Sequence, residues 1–311
     1  MPYFSVVIPL FNKEKYITET LNSVLNQSFQ DFEVIIVNDG STDNSLVMIK
    51  KFSDKRLRII NQKKQGVSVA RNRGITEAKS DFIALLDADD LWYLNHLKEF
   101  RKQIELFPQA GLYCNNYEIF YNENVKRPAH LNFSFGKDCL LIPDFFKASI
   151  ANPVAWTSGV AFPKTVFNTI GKFNTELITA QDLDLWIRIA LEYKVSFNPE
   201  ITMSYRLHVD DSLSKRELNT IRHQFISKFK NEELQNDSLK LYLDINRYAV
   251  ALRSKLNGEK EIYRILKSEI DSQNLNLKQR FLLNSPPFLI RKLKTLQKFL
   301  ITKNIYITAF K

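Results

Sequence analysis

The amino-acid sequence predicts an α/β fold, a doubly wound and mostly parallel sheet followed by a helical appendage at the C-terminus. Short runs of branched apolar residues alternate with helical patterns about every 25 residues, which is typical of such sheets. Polar clusters follow two of these runs, at the strand ends where ligands bind in this fold class. Beyond residue 213 the pattern is helical, and Gly is absent until Gly258.

The elements follow from their periodicity. Strands are short apolar runs, and helices repeat their apolar residues every three or four positions. We place a domain boundary between residues 1–212 and residues 213–311, where the pattern changes. We predict strands at 5–10, 32–37, 57–60 and 82–86, and helices at 14–26, 44–52, 67–78 and 181–192.

The composition, 44% hydrophobic and 25% charged, is that of a soluble globular protein. No stretch approaches the roughly 18 apolar residues of a spanning helix. The N-terminus enters an apolar run at once, which we interpret as a strand and not as a secretory signal. Cys114 and Cys139 lack metal-ligand spacing and favour a reduced, cytosolic location.

The net charge of +10 is concentrated near the C-terminus, where residues 286–311 contain six Lys or Arg and no Asp or Glu. A basic segment suits a membrane surface or a nucleic acid, and the alternative is a solvated helix face. Leu289, Leu293, Leu296 and Leu300 recur at helical spacing, so the segment is amphipathic. We expect residues 286–311 to dock on an anionic membrane surface and expect no nucleic-acid partner; the alternative is that the leucines pack on the catalytic domain.

Two aspartates flank a small residue directly after the fourth strand. Asp87 and Asp89 can share one hard divalent cation, which prefers oxygen ligands. Such a cation would bridge diphosphate oxygens and neutralise a nucleotide leaving group. The alternative is a loop of helix-capping aspartates. For Asp90 we favour that alternative, as the cap of a helix that begins at Leu91.

Three further polar residues are candidates. Asp39 follows the second strand and can accept the imide proton of a uracil ring, although the same string forms an ordinary turn. Asp182 and Asp184 begin a helix and point about 200° apart, so only one of them can face a pocket and serve as a general base. His208 is one of four histidines and is either a packed residue or a ligand.

Order and spacing join these signals. Over roughly residues 4–214 the sequence resembles the family 2 glycosyltransferases of the GT-A fold, and the final hundred residues share no motif with them. The resemblance rests on seven blocks in the family's order: VVIPLFN (6–12), NDGSTD (38–43), GVSVARNRG (66–74), LDADD (86–90), GKF (171–173), DLDLWIR (182–188) and YRLH (205–208).

The resemblance implies roles in donor binding. Pro9 and Phe11 would line the base pocket, and Phe11 stands where the family usually has Tyr. Asp39 would bind the uracil edge. Arg71 would lie near the ribose or a phosphate of the nucleotide. Asn38 replaces the commoner acid, which leaves Asp39 to recognise the base.

The resemblance also implies a metal site and a general base. Asp87 and Asp89 match the family's metal-and-ribose motif, with Asp89 the firmer ligand of a Mn²⁺ or Mg²⁺ ion. His208 matches a position that completes the metal shell in some relatives. Asp182 matches the general base of a single, inverting displacement. Gln181 replaces the usual Glu before it, which bears on the orientation of the base and on acceptor contacts.

The implied activity is metal-dependent transfer of a hexosyl or N-acetylhexosaminyl group. We expect a nucleotide diphosphate sugar, UDP-linked by family habit, as donor and a glycan or lipid-linked glycan as acceptor. Cell-surface polysaccharide synthesis at the cytoplasmic face of a membrane would follow. The alternatives are a polyprenyl-phosphate sugar synthase and a non-catalytic carbohydrate-binding relative. A nucleotidyltransferase would carry a Gly-rich loop after the first strand, and residues 9–13 do not resemble one.

Overall fold

The computed structural model describes residues 1–122, 125–207, 209 and 218–302. The chain divides into two compact units. Unit 1 comprises Met1–Phe145 and Asn152–Ser212, and unit 2 comprises Phe146–Ala151 and Leu213–Lys311. Within the described ranges, no helix is long and apolar enough to cross a membrane.

Unit 1 is built on a mixed sheet of ten strands, which confirms the predicted fold class. The strand order is β3-β2-β1-β4-β9-β6-β10-β5, with β7 paired to β6 and β8 paired to β10. The strands are β1 (Phe4–Leu10), β2 (Phe32–Asp39), β3 (Leu57–Gln62), β4 (Phe82–Leu85), β5 (Leu91–Trp92), β6 (Ala110–Asn122), β7 (Val125–Pro128), β8 (Leu140–Leu141), β9 (Val160–Pro163) and β10 (Lys194–Arg206).

Helices connect and cover these strands. The helix that contains Gly74 packs closely on strand β1. A Cβ atom added at Gly74 would lie 2.4 Å from the Cγ1 atom of Val7 on that strand. Only glycine at position 74 therefore permits this approach. The helices of unit 1 are α1 (Ile17–Leu25), α2 (Ser45–Ile49), α3 (Val67–Glu77), α4 (His96–Leu106), α6 (Lys164–Ile170) and α7 (Gln181–Glu192), whereas α5 (Phe145–Ala148) belongs, apart from its first residue, to the earlier segment of unit 2.

The two halves of the sheet differ in direction. Strands β3, β2, β1 and β4 are all parallel, as the alternating pattern predicts. Strand β9 then runs antiparallel to both β4 and β6, and parallel pairing resumes between β6 and β10. Since β9 runs against β4, its first residue lies near the carboxyl end of β4. The short 3-10 turn Thr157–Gly159, which leads into β9, is thereby brought to the end of the sheet where ligands bind.

The helix predicted at Leu91 does not form. Leu91–Trp92 is instead strand β5, which pairs with Met203 and Ser204 of β10, and helix α4 begins only at His96. Asp90 is therefore not a helix cap, and that prediction is wrong. Pairing with a long neighbouring strand satisfies the backbone of residues 91–92, whereas capping chemistry alone cannot extend a helix that lacks packing.

Helix α4 is joined to the sheet by buried polar contacts. The Nδ1 atom of His96 lies 2.7 Å from the hydroxyl of Thr202 on β10. Gln103 donates to Asn115 at 2.8 Å, and Ser196 donates to Gln103 at 2.8 Å. Burial lowers the pKa of His96 to about 3, so the imidazole is neutral at physiological pH.

Unit 2 is helical, and α10, the central helix of its later segment, contacts each of the other five in that segment. Its amino end is capped by the side chain of Asn236, and Gly258 ends it in the left-handed region at φ +79°. From the earlier segment of unit 2, the Phe146 ring lies 6.0 Å from that of Tyr242. The helices are α8 (Asn219–Ser227), α9 (Lys230–Glu233), α10 (Asp237–Asn257), α11 (Lys260–Glu269), α12 (Leu277–Asn284) and α13 (Pro287–Thr302).

A buried ion cluster ties α9 to α10. Arg247 is 1% exposed and donates to both carboxylate oxygens of Glu233, at 2.8 and 2.7 Å. It also donates to Asp244 at 2.9 Å. A bidentate pair of this kind orients both partners, and removal of either would leave a buried charge uncompensated.

Candidate functional site

The loops that follow β1 and β2 are joined at the carboxyl end of the sheet. Leu10 pairs with Asn38, so Phe11 follows β1 where Asp39 completes β2. Asn12 is left-handed at φ +51°, a conformation that Asn tolerates. Its side chain accepts from the Thr42 N–H at 2.8 Å and donates to the Thr42 hydroxyl at 3.1 Å. The two loops therefore form one connected rim.

Asp39 holds the loop that leads into α3. Its carboxylate is 3% exposed and accepts from the Gln62 side chain, the Gln65 N–H and the Gly66 N–H, each at 2.8 Å. A carboxylate offers about four acceptor positions, so one further donor can be accommodated. Gly66 has φ +99°, which requires glycine. Asp39 thus has a structural role in this loop that sequence reasoning missed, and its role in base recognition stays a prediction.

Phe11 is covered by a cation. The Nζ atom of Lys64 lies 3.9 Å from the centroid of the Phe11 ring. Lys64 belongs to the loop that Asp39 holds, and its side chain is exposed. Pro9, on β1 opposite Val37, is partly exposed on the same strand. The face of the Phe11 ring that Lys64 covers can accept another group only after the ammonium moves aside.

Arg71 is buried beneath Asp87. Its side chain is 3% exposed and donates from Nη2 to Asp87 Oδ1 at 2.6 Å. Its Nε and Nη1 atoms are buried and find no partner among the described residues. Unpaired buried N–H groups cost free energy, about 1–3 kcal/mol each. These donors are therefore suited to the oxygen atoms of a bound ligand.

Asp89 pairs with a lysine from the loop after β1. Lys13 Nζ lies 2.7 Å from Asp89 Oδ2. The pKa of Asp89 is raised overall. Burial raises it most, Lys13 lowers it, and the nearby Asp87 carboxylate raises it further. A carboxylate held by one lysine among other acids favours the arrival of further positive charge. Lys13 was not among the residues that the sequence singled out, although it lies next to the first family block.

The acidic turn, residues 87–90, is held from beneath by Ser158. The Ser158 hydroxyl donates to Asp90 Oδ2 at 2.6 Å and accepts from the Asp87 N–H at 3.0 Å. The Arg206 N–H donates to Asp90 Oδ1 at 3.1 Å, and the Thr20 hydroxyl donates to the Asp90 carbonyl at 2.9 Å. Burial and the neighbouring carboxylates raise the pKa of Asp90 well above its usual range. Asp90 therefore fixes the turn and does not face the ligand.

Asp182 meets the same 3-10 turn at its other side. The Thr157 hydroxyl donates to Asp182 Oδ2 at 3.1 Å. Asp184, in contrast, is 4% exposed and accepts from two nitrogens of Arg188, at 3.0 and 2.7 Å. Arg188 in turn donates to the carbonyls of residues 170–172. Of the two aspartates, Asp184 fastens α7 and Asp182 binds the 3-10 turn.

The entry into α7 is strained. Ala180 precedes the helix at φ +60°, a left-handed conformation that costs an alanine roughly 1–2 kcal/mol. Gln181 is 7% exposed, and its Oε1 atom has no partner among the described residues. Strain and an unpaired acceptor next to Asp182 make this helix start a candidate functional position.

The 3-10 turn Thr157–Gly159 connects the two groups of acids. Ser158 binds the acidic turn, and the adjacent Thr157 binds Asp182. Two consecutive residues thus link the acidic turn to Asp182, and they lie about 70 positions beyond that turn in the sequence. No local pattern signals this role for Thr157 and Ser158, because it arises from the pairing of β9 with β4.

The candidate ligands for a cation in the described part of the chain are the carboxylates of Asp87 and Asp89. Among the residues that the structure describes, no group of three or more His, Cys, Asp or Glu side chains could hold a metal ion. His208 lies outside the described residues, so its role stays a prediction. Asp87 and Asp89 nevertheless suit Mg²⁺ or Mn²⁺, because such ions often bind through one or two carboxylates and complete their shell with substrate phosphates and water.

Comparison with known proteins gives relatives along most of the chain. The family model described as Glycosyl transferase family 2 matches residues 5–170. WfgD of Escherichia coli, named UDP-Glc:alpha-D-GlcNAc-diphosphoundecaprenol beta-1,3-glucosyltransferase, is 26% identical over 263 residues, which cover 82% of this chain and 98% of that protein. The chain spans 37% to 42% of the length of three Rickettsia glycosyltransferases that it matches at 26% to 27% identity.

Two solved structures share the fold. S. aureus TarS 1-349 in complex with UDP-GlcNAc has a TM-score of 0.68 and 18% identity, over 98% of this chain and 93% of that one. The mannosyltransferase PcManGT from Pyrobaculum calidifontis, in complex with GDP-Man and Mn²⁺, has a TM-score of 0.59 and 16% identity, over 96% and 81%. The fold is that of the GT-A glycosyltransferases. Since the family model also matches more than half of the residues, this chain belongs to glycosyl transferase family 2.

Proposed function

We propose that unit 1 transfers a hexosyl or N-acetylhexosaminyl group from a UDP-linked donor to a hydroxyl of a glycan or lipid-linked glycan, with inversion. The observation that carries the proposal is the 3-10 turn whose Ser158 binds the acidic turn while its Thr157 binds Asp182. Donor-binding acids and a candidate base are thereby held by consecutive residues. The UDP-GlcNAc bound to TarS and the acceptor named for WfgD support the choice of substrates.

The donor would bind against the loops after β1 and β2 and against the side chain of Arg71. The remaining acceptor position of Asp39 would take the imide proton of uracil, and Phe11 would stack on the base once Lys64 has moved. The two unpaired donors of Arg71 would bind ribose or phosphate oxygens. Because Arg71 already holds Asp87, its guanidinium would also keep that carboxylate in position.

The cation would be held by Asp87 and Asp89, with His208 as a further candidate ligand. When bound, a Mn²⁺ or Mg²⁺ ion would stabilise the negative charge of the departing diphosphate. Lys13 lies against Asp89 and would remain close to the same charge. The cation and Lys13 would both bring positive charge to the diphosphate, which is the electrostatic stabilisation that this leaving group needs.

Asp182 would act as the general base. Its carboxylate would take the proton of the acceptor hydroxyl as that oxygen attacks the anomeric carbon. The bond from the anomeric carbon to the diphosphate oxygen would break on the opposite face, and the diphosphate would leave with the bonding electrons. One displacement inverts the anomeric configuration. Thr157 would orient Asp182 through its hydroxyl, and no second nucleophile is required.

The proposal includes the location of the enzyme and its attachment to a membrane. We propose a cytoplasmic enzyme of cell-surface polysaccharide synthesis that docks on an anionic membrane through residues 286–311. Part of that segment lies in α13, where Leu293 is 37% and Leu296 is 51% exposed. Leu289 is only half-buried, whereas the neighbouring Ile290 is 2% exposed. Residues 303–311 lie outside the described part of the chain.

The decisive experiment measures nucleotide release from a panel of nucleotide sugars, with and without Mn²⁺ and with chelator. We expect release from a UDP-sugar that requires the cation. Asp89→Ala should reduce turnover at least ~100-fold, the scale of losing one main electrostatic stabiliser. Full activity of the wild type in excess chelator would refute the metal assignment.

The base is tested separately. Asp182→Asn should reduce transfer by roughly 100- to 10,000-fold while nucleotide affinity changes little, because a general base acts on the transition state. Asp184→Asn is the matched control on the same helix and should weaken stability more than turnover. If the Asp182 variant transfers normally, another group is the base. Loss of UDP affinity in that variant would instead give Asp182 a role in donor binding.

A further inference from the structure

We infer that α12 and α13 together form a membrane-docking surface, and that its apolar contacts begin in α12 at Leu277 and Phe281, ahead of residues 286–311. The inference rests on the proposed attachment to an anionic membrane and assigns the side chains that enter it. We call this set the docking surface; it consists of Leu277, Phe281, Phe288, Leu293 and Leu296 with the basic residues between them.

Large apolar side chains are concentrated here. Leu277 is 81% and Phe281 58% exposed on α12, and Phe288 is 63% exposed on α13. With Leu293 and Leu296, these are five of the fourteen exposed large apolar residues in the described part of the chain, within twenty positions. Single exposed apolar side chains are ordinary, whereas several of them along one short segment favour an interaction site.

Helix geometry shows that these side chains face away from the interior of unit 2. Both helices pack on α10. On α12 the buried residues are Gln279 and Leu283. Leu277 and Phe281 each lie two positions before one of these, a rotation of about 200° on a helix. Among the α13 side chains that the structure describes, Ile290 is the buried one, and Phe288 precedes it by the same interval. Leu277, Phe281 and Phe288 are therefore not part of the packing on α10.

The positive charge of the docking surface indicates which kind of partner binds it. Residues 272–302 contain six Lys or Arg and no Asp or Glu. A second copy of this chain seated on the same surface would bring six positive charges against six, which disfavours association. Nucleic-acid interfaces are strongly polar and would leave the aliphatic side chains of Leu277, Leu293 and Leu296 unmatched. An anionic bilayer fits both features, because its headgroups attract Lys and Arg while its acyl boundary takes up apolar side chains.

Docking of this kind has a consequence for the proposed reaction. A lipid-linked acceptor is confined to the bilayer surface. An enzyme held at that surface meets its acceptor at a far higher local concentration than an enzyme free in solution. Donor hydrolysis, in contrast, needs no membrane. Membrane binding and nucleotide release are therefore separable readouts.

The test uses the full chain with vesicles of equimolar phosphatidylglycerol and phosphatidylcholine, and with pure phosphatidylcholine vesicles. The wild type should co-sediment with the anionic vesicles and dissociate as salt is raised. The double variant Leu277→Ser, Phe281→Ser should bind at least about tenfold more weakly, because it loses two inserted apolar side chains. The matched control is Leu234→Ser, since Leu234 is also 81% exposed in unit 2 but lies outside the docking surface.

Each outcome is decisive. Wild-type binding that the double variant retains would overturn the role of α12 and leave attachment through residues 286–311 standing. No wild-type binding at all would refute both, while release of UDP from the donor would still report the proposed activity. A dimer that the double variant converts to a monomer would make the surface a contact between copies. Tight binding to a short RNA without vesicle binding would make it a nucleic-acid surface.

Discussion

The substitution Ser158→Ala removes the hydroxyl that joins the acidic turn, residues 87–90, to the 3-10 turn before β9. That oxygen donates to Asp90 at 2.6 Å and accepts from the Asp87 N–H at 3.0 Å. Ser158 itself is fully buried, so water cannot replace the lost hydroxyl. Two polar groups would remain unsatisfied, at about 1–3 kcal/mol each, and we therefore expect Ser158→Ala to lower the free energy of unfolding by about 2–6 kcal/mol.

The same substitution should loosen the cation site. Ser158 does not touch the cation in our proposal; it binds the backbone N–H of Asp87 and the side chain of Asp90, which precede and follow Asp89 in the turn. Loss of such supporting contacts typically costs 10- to 100-fold in metal affinity or activity. We therefore expect the Mn²⁺ concentration for half-maximal UDP release to rise about tenfold or more. A merely structural defect would lower the amount of folded enzyme without moving that concentration.

Ser204→Ala is the matched control. Ser204 is also fully buried, and its hydroxyl has no partner among the described residues. The chemical change is identical, but no hydrogen bond is lost, so stability and Mn²⁺ dependence should stay near those of the wild type. Urea unfolding and Mn²⁺ titrations of the three proteins make the comparison. If Ser158→Ala and Ser204→Ala behave alike, the acidic turn does not depend on Ser158 and the reasoning fails.

Three further predictions concern stability, each measured by urea unfolding. The pKa of His96 is about 3 in the folded protein, so only the unfolded state gains a proton at this residue as the pH drops below about 6.5. The free energy of unfolding of the wild type should therefore fall by up to about 1.4 kcal/mol per pH unit between pH 6 and 4. In His96→Asn this part of the pH dependence should be absent. An unchanged slope in the variant would contradict the assignment. Arg247→Met should destabilise unit 2 by about 3–5 kcal/mol, and adding Glu233→Gln should recover part of the loss; no recovery would mean that their pairing is not the cause. Gly74→Ala should cost about 1–3 kcal/mol through overpacking against β1, and a neutral effect would show that α3 can move.

Local patterns were sufficient for the first half of the fold. The parallel strands β1 to β4 are apolar runs separated by amphipathic helices, and such periodicity is read directly from the chain. Asp39, Asp87 and Asp89 were found because they follow these strands, although their chemical roles stay predictions. The antiparallel course of β9 was not predicted, since it depends on pairing with strands far away in the sequence.

Long-range contacts account for what the sequence did not reveal about the site. Ser158 has no signature of its own, because its function arises only when β9 lies beside β4. Lys13 became notable only when Asp89 was found 2.7 Å away. At Leu91 local capping chemistry predicted a helix, and strand pairing with β10 prevailed. Each of these outcomes was decided by tertiary contacts that outweigh local preference.

The contact between Phe146 and Tyr242 has a consequence for synthesis of the chain. Phe146 is 4% exposed in the finished protein, yet Tyr242 follows it by ninety-six residues. At translation rates of about 5–20 residues per second, roughly 5–20 s pass before that aromatic partner can emerge from the ribosome. During this interval an apolar segment within the span of unit 1 awaits its cover, and it is a natural target for chaperones. A chain shortened after residue 212 would never gain that cover, so Phe146 is the position to make polar when unit 1 is produced alone.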